Sequence, residues 1–168
     1  MKRIFIYILL CATLEANAQH VKLYVAGTPH CMKAEETQTE VKPGWKIIDI
    51  QLKDKATKYL CGKHAQQLTE SRTPTFFIEP DEKELLVDYA FIKLKEKKQH
   101  RALKSHKLHE NGYTRITPQD FSIKAVGSMA FECTPKLPLE KGEYILLNIV
   151  QKPIGELHDF KTYPFRVP

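Results

Sequence analysis

The stretch 137–150, Leu-Pro-Leu-Glu-Lys-Gly-Glu-Tyr-Ile-Leu-Leu-Asn-Ile-Val, constrains this chain most. A turn carrying Gly142 leads into Tyr144 and then a dense apolar run. Gly142 permits a positive φ that other residues resist. Beyond it the period of two sets Leu146 and Asn148 on one face and Ile145 and Leu147 on the other. Such a run, following a turn, predicts a strand entering a sandwich core.

The rest of the chain carries the same signal. Val21, Leu23 and Val25 alternate with Lys22, Tyr24 and Ala26, and Gly27-Thr28-Pro29 ends that strand. Trp45 to Leu52 reads as a strand with Ile48, Ile50 and Leu52 on one face. Residues 54–68 read either as a helix capped by Asp54 or as a strand at 58–61 broken by Gly62. Thr73-Pro74-Thr75-Phe76-Phe77-Ile78 reads as a strand entered through proline, and 81–84 as a polar turn. From Leu85 both faces are apolar: Leu86, Asp88, Ala90, Ile92 and Leu94 against Val87, Tyr89 and Phe91. That pattern predicts a central strand. Residues 101–108 return as its partner, and Asn111-Gly112 is a turn. Phe121, Ile123 and Ala125 alternate, Gly127-Ser128 turns, and Met129, Phe131 and Cys133 alternate again. After a loop at 152–159 a last strand runs near Tyr163 to Val167. Short strands at regular spacing predict an all-β, antiparallel sandwich.

Composition sets the class. Of 168 residues, 42% are hydrophobic and 27% charged, an ordinary globular balance. Residues 1–18 combine Lys2-Arg3, an apolar run through Leu14 and Ala16-Asn17-Ala18. This is expected to be a signal peptide cleaved before Gln19. The apolar run is shorter than the roughly 20 residues that span a bilayer. A chain starting at Gln19 is long enough to bury about 70% of its unfolded surface in one core. Export is expected, with the periplasm, the outer surface and the medium all open. Cys31, Cys61 and Cys133 then permit one disulfide and one free thiol, with three possible pairings.

Glu140-Lys141-Gly142-Glu143-Tyr144-Ile145-Leu146 resembles the strand-F signature of immunoglobulin domains, acidic-x-Gly-x-Tyr-x-Cys, with Leu146 where the cysteine stands. The resemblance implies that the Tyr144 hydroxyl bonds back to the upstream backbone, pinning a corner. It also implies that Leu146 joins the sheets by packing. From about Leu85 to Val167 the chain resembles immunoglobulin-like modules of uncharacterised secreted proteins of Gram-negative bacteria. The implied organisation is a signal peptide (1–18), an N-terminal β segment of added strands or a small unit (19–84), and an immunoglobulin-like β-sandwich portion (85–168).

A competing resemblance lies in residues 21–36, which look like a thioredoxin-type strand feeding Cys31 at a helix start. Thr73-Pro74-Thr75 resembles the cis-proline loop of that family. The alternative fold is therefore α+β with a thioredoxin-like N-terminal half, Cys31 and Pro74 being its thiol site. The second cysteine of a Cys-x-x-Cys is absent, so dithiol exchange lacks a partner. His30, Cys31 and Met32 are three potential metal ligands in a row, but neighbours on an extended segment point opposite ways. No metal and no cofactor are expected.

Lys93, Lys95, Lys97, Lys98, Arg101, Lys104 and Lys107 form a basic run in a chain of net charge +6. It reads as a grip for anionic groups or as lysines guarding a sheet edge. Gly-x-Ser-x-Gly and His-Glu-x-x-His are absent, as is any nucleic-acid motif. The expected function is non-catalytic: an exported binding, adhesion or envelope-assembly module. Its partner would be a protein or glycan of the envelope, with no nucleic acid and no transmembrane helix after signal removal. The alternatives are a thioredoxin-like thiol protein using Cys31 and an anion-binding envelope protein.

Overall fold

The computed structural model describes residues 21–25, 27–42, 46–47, 50–51, 55–80, 85–103, 113–149 and 161–168. The signal peptide, Trp45, Ile48, Leu52, Asp54, the turns at 81–84 and 111–112, Lys104, Lys107 and the loop at 152–159 lie outside the described residues.

The first half of the chain supplies β1 (Val21–Val25), β2 (Thr28–Cys31), β3 (Glu35–Glu36), β4 (Gln38–Lys42), β5 (Lys46–Ile47), β6 (Ile50–Gln51), β7 (Lys55–Cys61) and β8 (Phe76–Ile78). The second supplies β9 (Tyr89–Lys93), β10 (Lys95–Glu96), β11 (His100–Leu103), β12 (Thr114–Arg115), β13 (Phe121–Val126), β14 (Ala130–Pro135), β15 (Gly142–Asn148) and β16 (Lys161–Val167). The only helical element among the described residues is a single 3₁₀ turn, Leu86–Asp88. The protein is all-β, and its named strand pairs are antiparallel.

Three larger sheets carry the architecture, in the orders β13-β14-β8-β1-β2, β12-β9-β15-β16-β3 and β10-β11-β7-β4. The second sheet is the middle layer. Its Tyr89, Phe91, Tyr144, Leu146, Phe165 and Val167 pack against Val21, Leu23, Phe76, Ile78, Phe121 and Cys133 of the first sheet. Its opposite face, Ala90, Ile92, Ile145 and Leu147, packs against Leu60 and Leu103 of the third. Cover on both faces is why β9 and β15 read as unbroken apolar runs. The middle and third sheets share a chain segment. Leu94 N–H still bonds Glu143 O, at 2.8 Å, and the strand then continues as β10 in the third sheet. Strands from 19–84 share sheets with strands from 85–168: β8 pairs with β14, β3 with β16, and β7 with β11.

The thioredoxin-like alternative is overturned. Residues 55–61 form β7, hydrogen-bonded to β4 on one side and β11 on the other. Thr57 and Tyr59 suit a pleated strand, and pairing on both sides outweighs the weak helical signal of the segment. Cys31 ends an exposed edge strand and not a helix start. No peptide bond among the described residues is cis, Pro74 included. The single strand expected over 45–52 is also corrected. Lys46–Ile47 and Ile50–Gln51 pair with each other, Ile47 opposite Ile50, as a small hairpin. The central strand starts later than its apolar alternation, because Leu86–Asp88 is taken into the 3₁₀ turn.

Gly142 opens β15 with φ 144°, and a Cβ there would lie 3.0 Å from Lys93 Cε. Two residues on, the Tyr144 hydroxyl donates to Glu140 O at 2.9 Å. Burial pushes that hydroxyl above its ordinary pKa of 10.0, so it stays a neutral donor. Leu146 is fully buried in the core between the first two sheets. Tyr144→Phe removes the bond while keeping the ring, and is expected to cost about 0.5–1.5 kcal/mol. The melting temperature should fall by a few degrees, and an unchanged value would show that the bond contributes nothing.

Candidate functional site

Alternation that buries one face of a strand exposes the other, and in the first sheet the outer face is a surface. Leu23, Phe76 and Cys133 align inward. Outward, Cys31, Lys22, Phe77, Glu132 and Lys124 align across five strands in one row. A second row carries Pro29, Tyr24, Thr75, Thr134 and Ser122, with Tyr24 N–H bonding Thr75 O at 2.9 Å. Every residue of both rows is half-buried or exposed. Within the first row Lys22 Nζ sits 4.9 Å from the Phe77 ring centroid, and between the rows the Tyr24 hydroxyl donates to Glu132 Oε1 at 2.9 Å. The hydrogen bond to Glu132 is the chief reason the Tyr24 hydroxyl is raised above 10.0, with burial and the carboxylate's negative charge adding to it.

At one end of this face lies a cleft of about 370 Å³, lined by Tyr24, Gly27, Glu70, Ser71, Thr73, Pro74, Thr75 and Glu132. Gly27, at φ 79°, turns β1 into β2 at its rim. The 69–75 wall is held from several sides. The Thr69 hydroxyl meets Ser71 O at 2.9 Å and Arg166 O at 3.1 Å. Arg72 and Leu139 exchange two bonds: Arg72 Nε to Leu139 O at 2.6 Å, and Leu139 N–H to Arg72 O at 2.7 Å. Pro74 is buried, and the Thr75 and Thr134 hydroxyls lie 2.8 Å apart.

The basic run does not form one surface. Lys95, Lys97 and Lys98 are exposed around the β10–β11 turn. Lys93 instead reaches Glu140, 2.6 Å away, and lies 5.9 Å from the Tyr144 ring centroid. Arg101 corrects the expectation outright, being only 1% exposed. Its guanidinium donates to Glu35 Oε2 and to Cys61 O, both at 2.7 Å, and to Gly62 O at 3.3 Å. A cation so enclosed grips the protein's own backbone and not a ligand.

A second buried charge was not anticipated. The Glu143 carboxylate, fully enclosed, receives Ala65 N–H at 2.8 Å and lies 2.9 Å from His64 Nδ1 and 3.6 Å from Arg166 Nε. It ties the 62–69 segment to the middle sheet. Its one sequence signal is a glutamate at the head of an apolar strand. The cleft residues carry a fainter signal, the polar member of each alternating pair: Tyr24 between Leu23 and Val25, Glu132 between Phe131 and Cys133.

His30 and Cys31 are exposed on β2, whereas Met32 is in the core, so the three do not converge. Among the described residues no group of three or more His, Cys, Asp or Glu side chains is placed to hold a metal ion. No described helix is long and apolar enough to cross a membrane. Cys31, Cys61 and Cys133 are all free thiols, so none of the three possible pairings is made. Burial pushes Cys133 from 9.0 up to about 12. Its thiolate is disfavoured only in the fold, so this contribution to stability is complete below pH 9 and is lost as pH rises from 9 towards 12. With a thiol reagent at pH 8, Cys31 and Cys61 are expected to label in minutes. Cys133 should label only after denaturant is added, and rapid labelling of all three would contradict its burial.

No known family, curated protein or solved structure matches the chain.

Proposed function

We propose that the chain is an exported, non-catalytic module of immunoglobulin-like type that binds an envelope partner through the outer face of its first sheet. The observation that carries the binding role is that face. Five strands present two solvent-facing rows, one carrying cationic, aromatic and carboxylate groups and the other an aromatic ring and three hydroxyls. A mixed flat surface on a rigid sheet is suited to recognition, and no conformational change is needed to expose it.

Strand order supports the immunoglobulin-like part. With β1, β8, β9, β13, β14, β15 and β16 taken as A, B, C, D, E, F and G, the first sheet contains A-B-E-D and the middle sheet C-F-G, the arrangement of constant-type domains. The Tyr144 bond to Glu140 falls on F, where that family has its tyrosine corner. β2 to β7 then form an insertion between A and B, and β10 with β11 one between C and D. Together they supply the third sheet that covers the outer side of C-F-G.

The test is capture of cross-linked partners from the native envelope, comparing the natural chain with a Lys22→Glu, Lys124→Glu double variant. The variant is expected to lose the partner while keeping its melting temperature, and equal capture would sink the reading. The exposed Lys95, Lys97 and Lys98 favour a second reading, an anion-binding role at the β10–β11 turn. Charge reversal at these three positions should then abolish binding to anionic glycans or lipids.

A further inference from the structure

We propose that the cleft at the end of the outer face is a binding site for a neutral saccharide unit. This rests on the reading of the chain as an exported binding module and narrows it to a ligand class. At about 370 Å³ the cleft falls at the small end of the range for sites of small ligands. Its chemistry selects among them. Ser71, Thr73 and Thr75 bring hydroxyls that donate or accept, and Glu70 and Glu132 bring carboxylates that accept from sugar hydroxyls. Tyr24 brings a flat ring against which the C–H side of a sugar packs.

Charge narrows the choice further. The chain carries a net charge of +6, yet the charged residues lining the cleft are the two glutamates. A phosphate, sulfate or uronate would meet two carboxylates, and Lys124 beside them is already paired with Glu132. Glu132 is held ready for its role. Its Oε1 accepts from the Tyr24 hydroxyl at 2.9 Å, while Lys124 Nζ donates to Oε2 at 3.5 Å. A carboxylate oxygen has two lone pairs, so Oε2 keeps one for a ligand hydroxyl. The cross-bonded 69–75 wall and the Tyr24–Glu132 pair set the geometry before any ligand arrives, which lowers the ordering cost of binding.

The experiment follows amide shifts of the isotope-labelled exported chain during titration with maltose, cellobiose and chitobiose, three neutral disaccharides. At least one should shift the amides of Gly27, Ser71, Thr73 and Glu132 saturably. Glu132→Gln should weaken that response tenfold or more, and Thr73→Ala, an exposed change that keeps the fold, should weaken it several-fold. The proposal is overturned if none of the three shifts these amides, if the shifts map elsewhere, or if both variants bind as the natural chain does. It is also overturned if calcium shifts these amides and the sugars do not, or if a sulfated disaccharide binds as tightly as a neutral one. Failure here is separable from failure of the broader reading. Capture that depends on Lys22 and Lys124 without any sugar response removes only the saccharide. A sugar response alongside equal capture in the double variant removes only the role of the face.

Discussion

Phe165→Ala is expected to lower the free energy of unfolding by about 3–5 kcal/mol. Phe165 is fully buried between the first and middle sheets. Its ring centroid lies 4.9 Å from that of Phe76, 5.7 Å from that of Phe91 and 5.5 Å from that of Tyr144, with which it stacks. Truncation to a methyl group leaves a cavity that three aromatic rings, each fixed by other neighbours, cannot collapse to fill. Phe165→Leu retains much of the volume and should cost clearly less. Urea denaturation followed by tyrosine and tryptophan fluorescence reads both changes as shifts in midpoint. A domain with 5–15 kcal/mol in hand loses a large share of it in the alanine variant. A shift of less than about 1 kcal/mol would mean that the two sheets do not meet at this residue.

Arg101→Ala should be comparably severe, again about 3–5 kcal/mol, for a different reason. The arginine neutralises Glu35 and satisfies the carbonyls of Cys61 and Gly62, linking β3, β11 and the end of β7. Removing it leaves the partly exposed Glu35 without its cation and two carbonyl acceptors without their donor, and leaves a cavity where its side chain lay. Arg101→Lys keeps the charge but loses the fork that reaches three acceptors together, so an intermediate loss is expected. Arg101→Ala combined with Glu35→Ala should recover part of the deficit, since the unpaired carboxylate is then gone. The coupling is the loss in the double variant minus the losses of Arg101→Ala and Glu35→Ala alone, and a value near zero would show that the ion pair is not coupled. Surface lysines of the same run provide the contrast: Lys97→Ala and Lys98→Ala should change stability by no more than about 0.5 kcal/mol.

Arg101 also marks where reading the chain residue by residue stopped working. Flanked by His100 and Lys104 in a basic run, it looks like one more solvated cation. What hides it is its position on β11, with its side chain turned inward at a place where β3 supplies Glu35 from 66 residues away. Glu143 is the converse case. It heads an apolar strand and looks like a surface position of the turn, yet His64, Ala65 and Arg166 enclose it. Burial of a charge depends on what folds over it, and the covering groups lie far off along the chain. Residues 54–68 failed differently. Their local pattern fits helix and strand about equally, and pairing with β4 and β11 decided between them.

By itself the sequence determined that this is a β protein. Alternation with a period of two is a local property of each strand, written in residues such as Val21-Lys22-Leu23 and Phe121-Ser122-Ile123. It determined the turns at Gly27 and Gly127, where a positive φ favours glycine. It also marked the stretch of β9 as apolar on both faces, and so as a central strand, and β15 as a strand entering the core. Only the tertiary structure decided which strands are neighbours, that a third sheet lies over the middle one, and where polar groups converge. Periodicity tells which face of a strand is buried but nothing about its partner. The Tyr24–Glu132 bond at the cleft joins residues 108 apart. Contacts of that range follow from how three sheets share their apolar faces, a property of the whole packed core and not of any one segment.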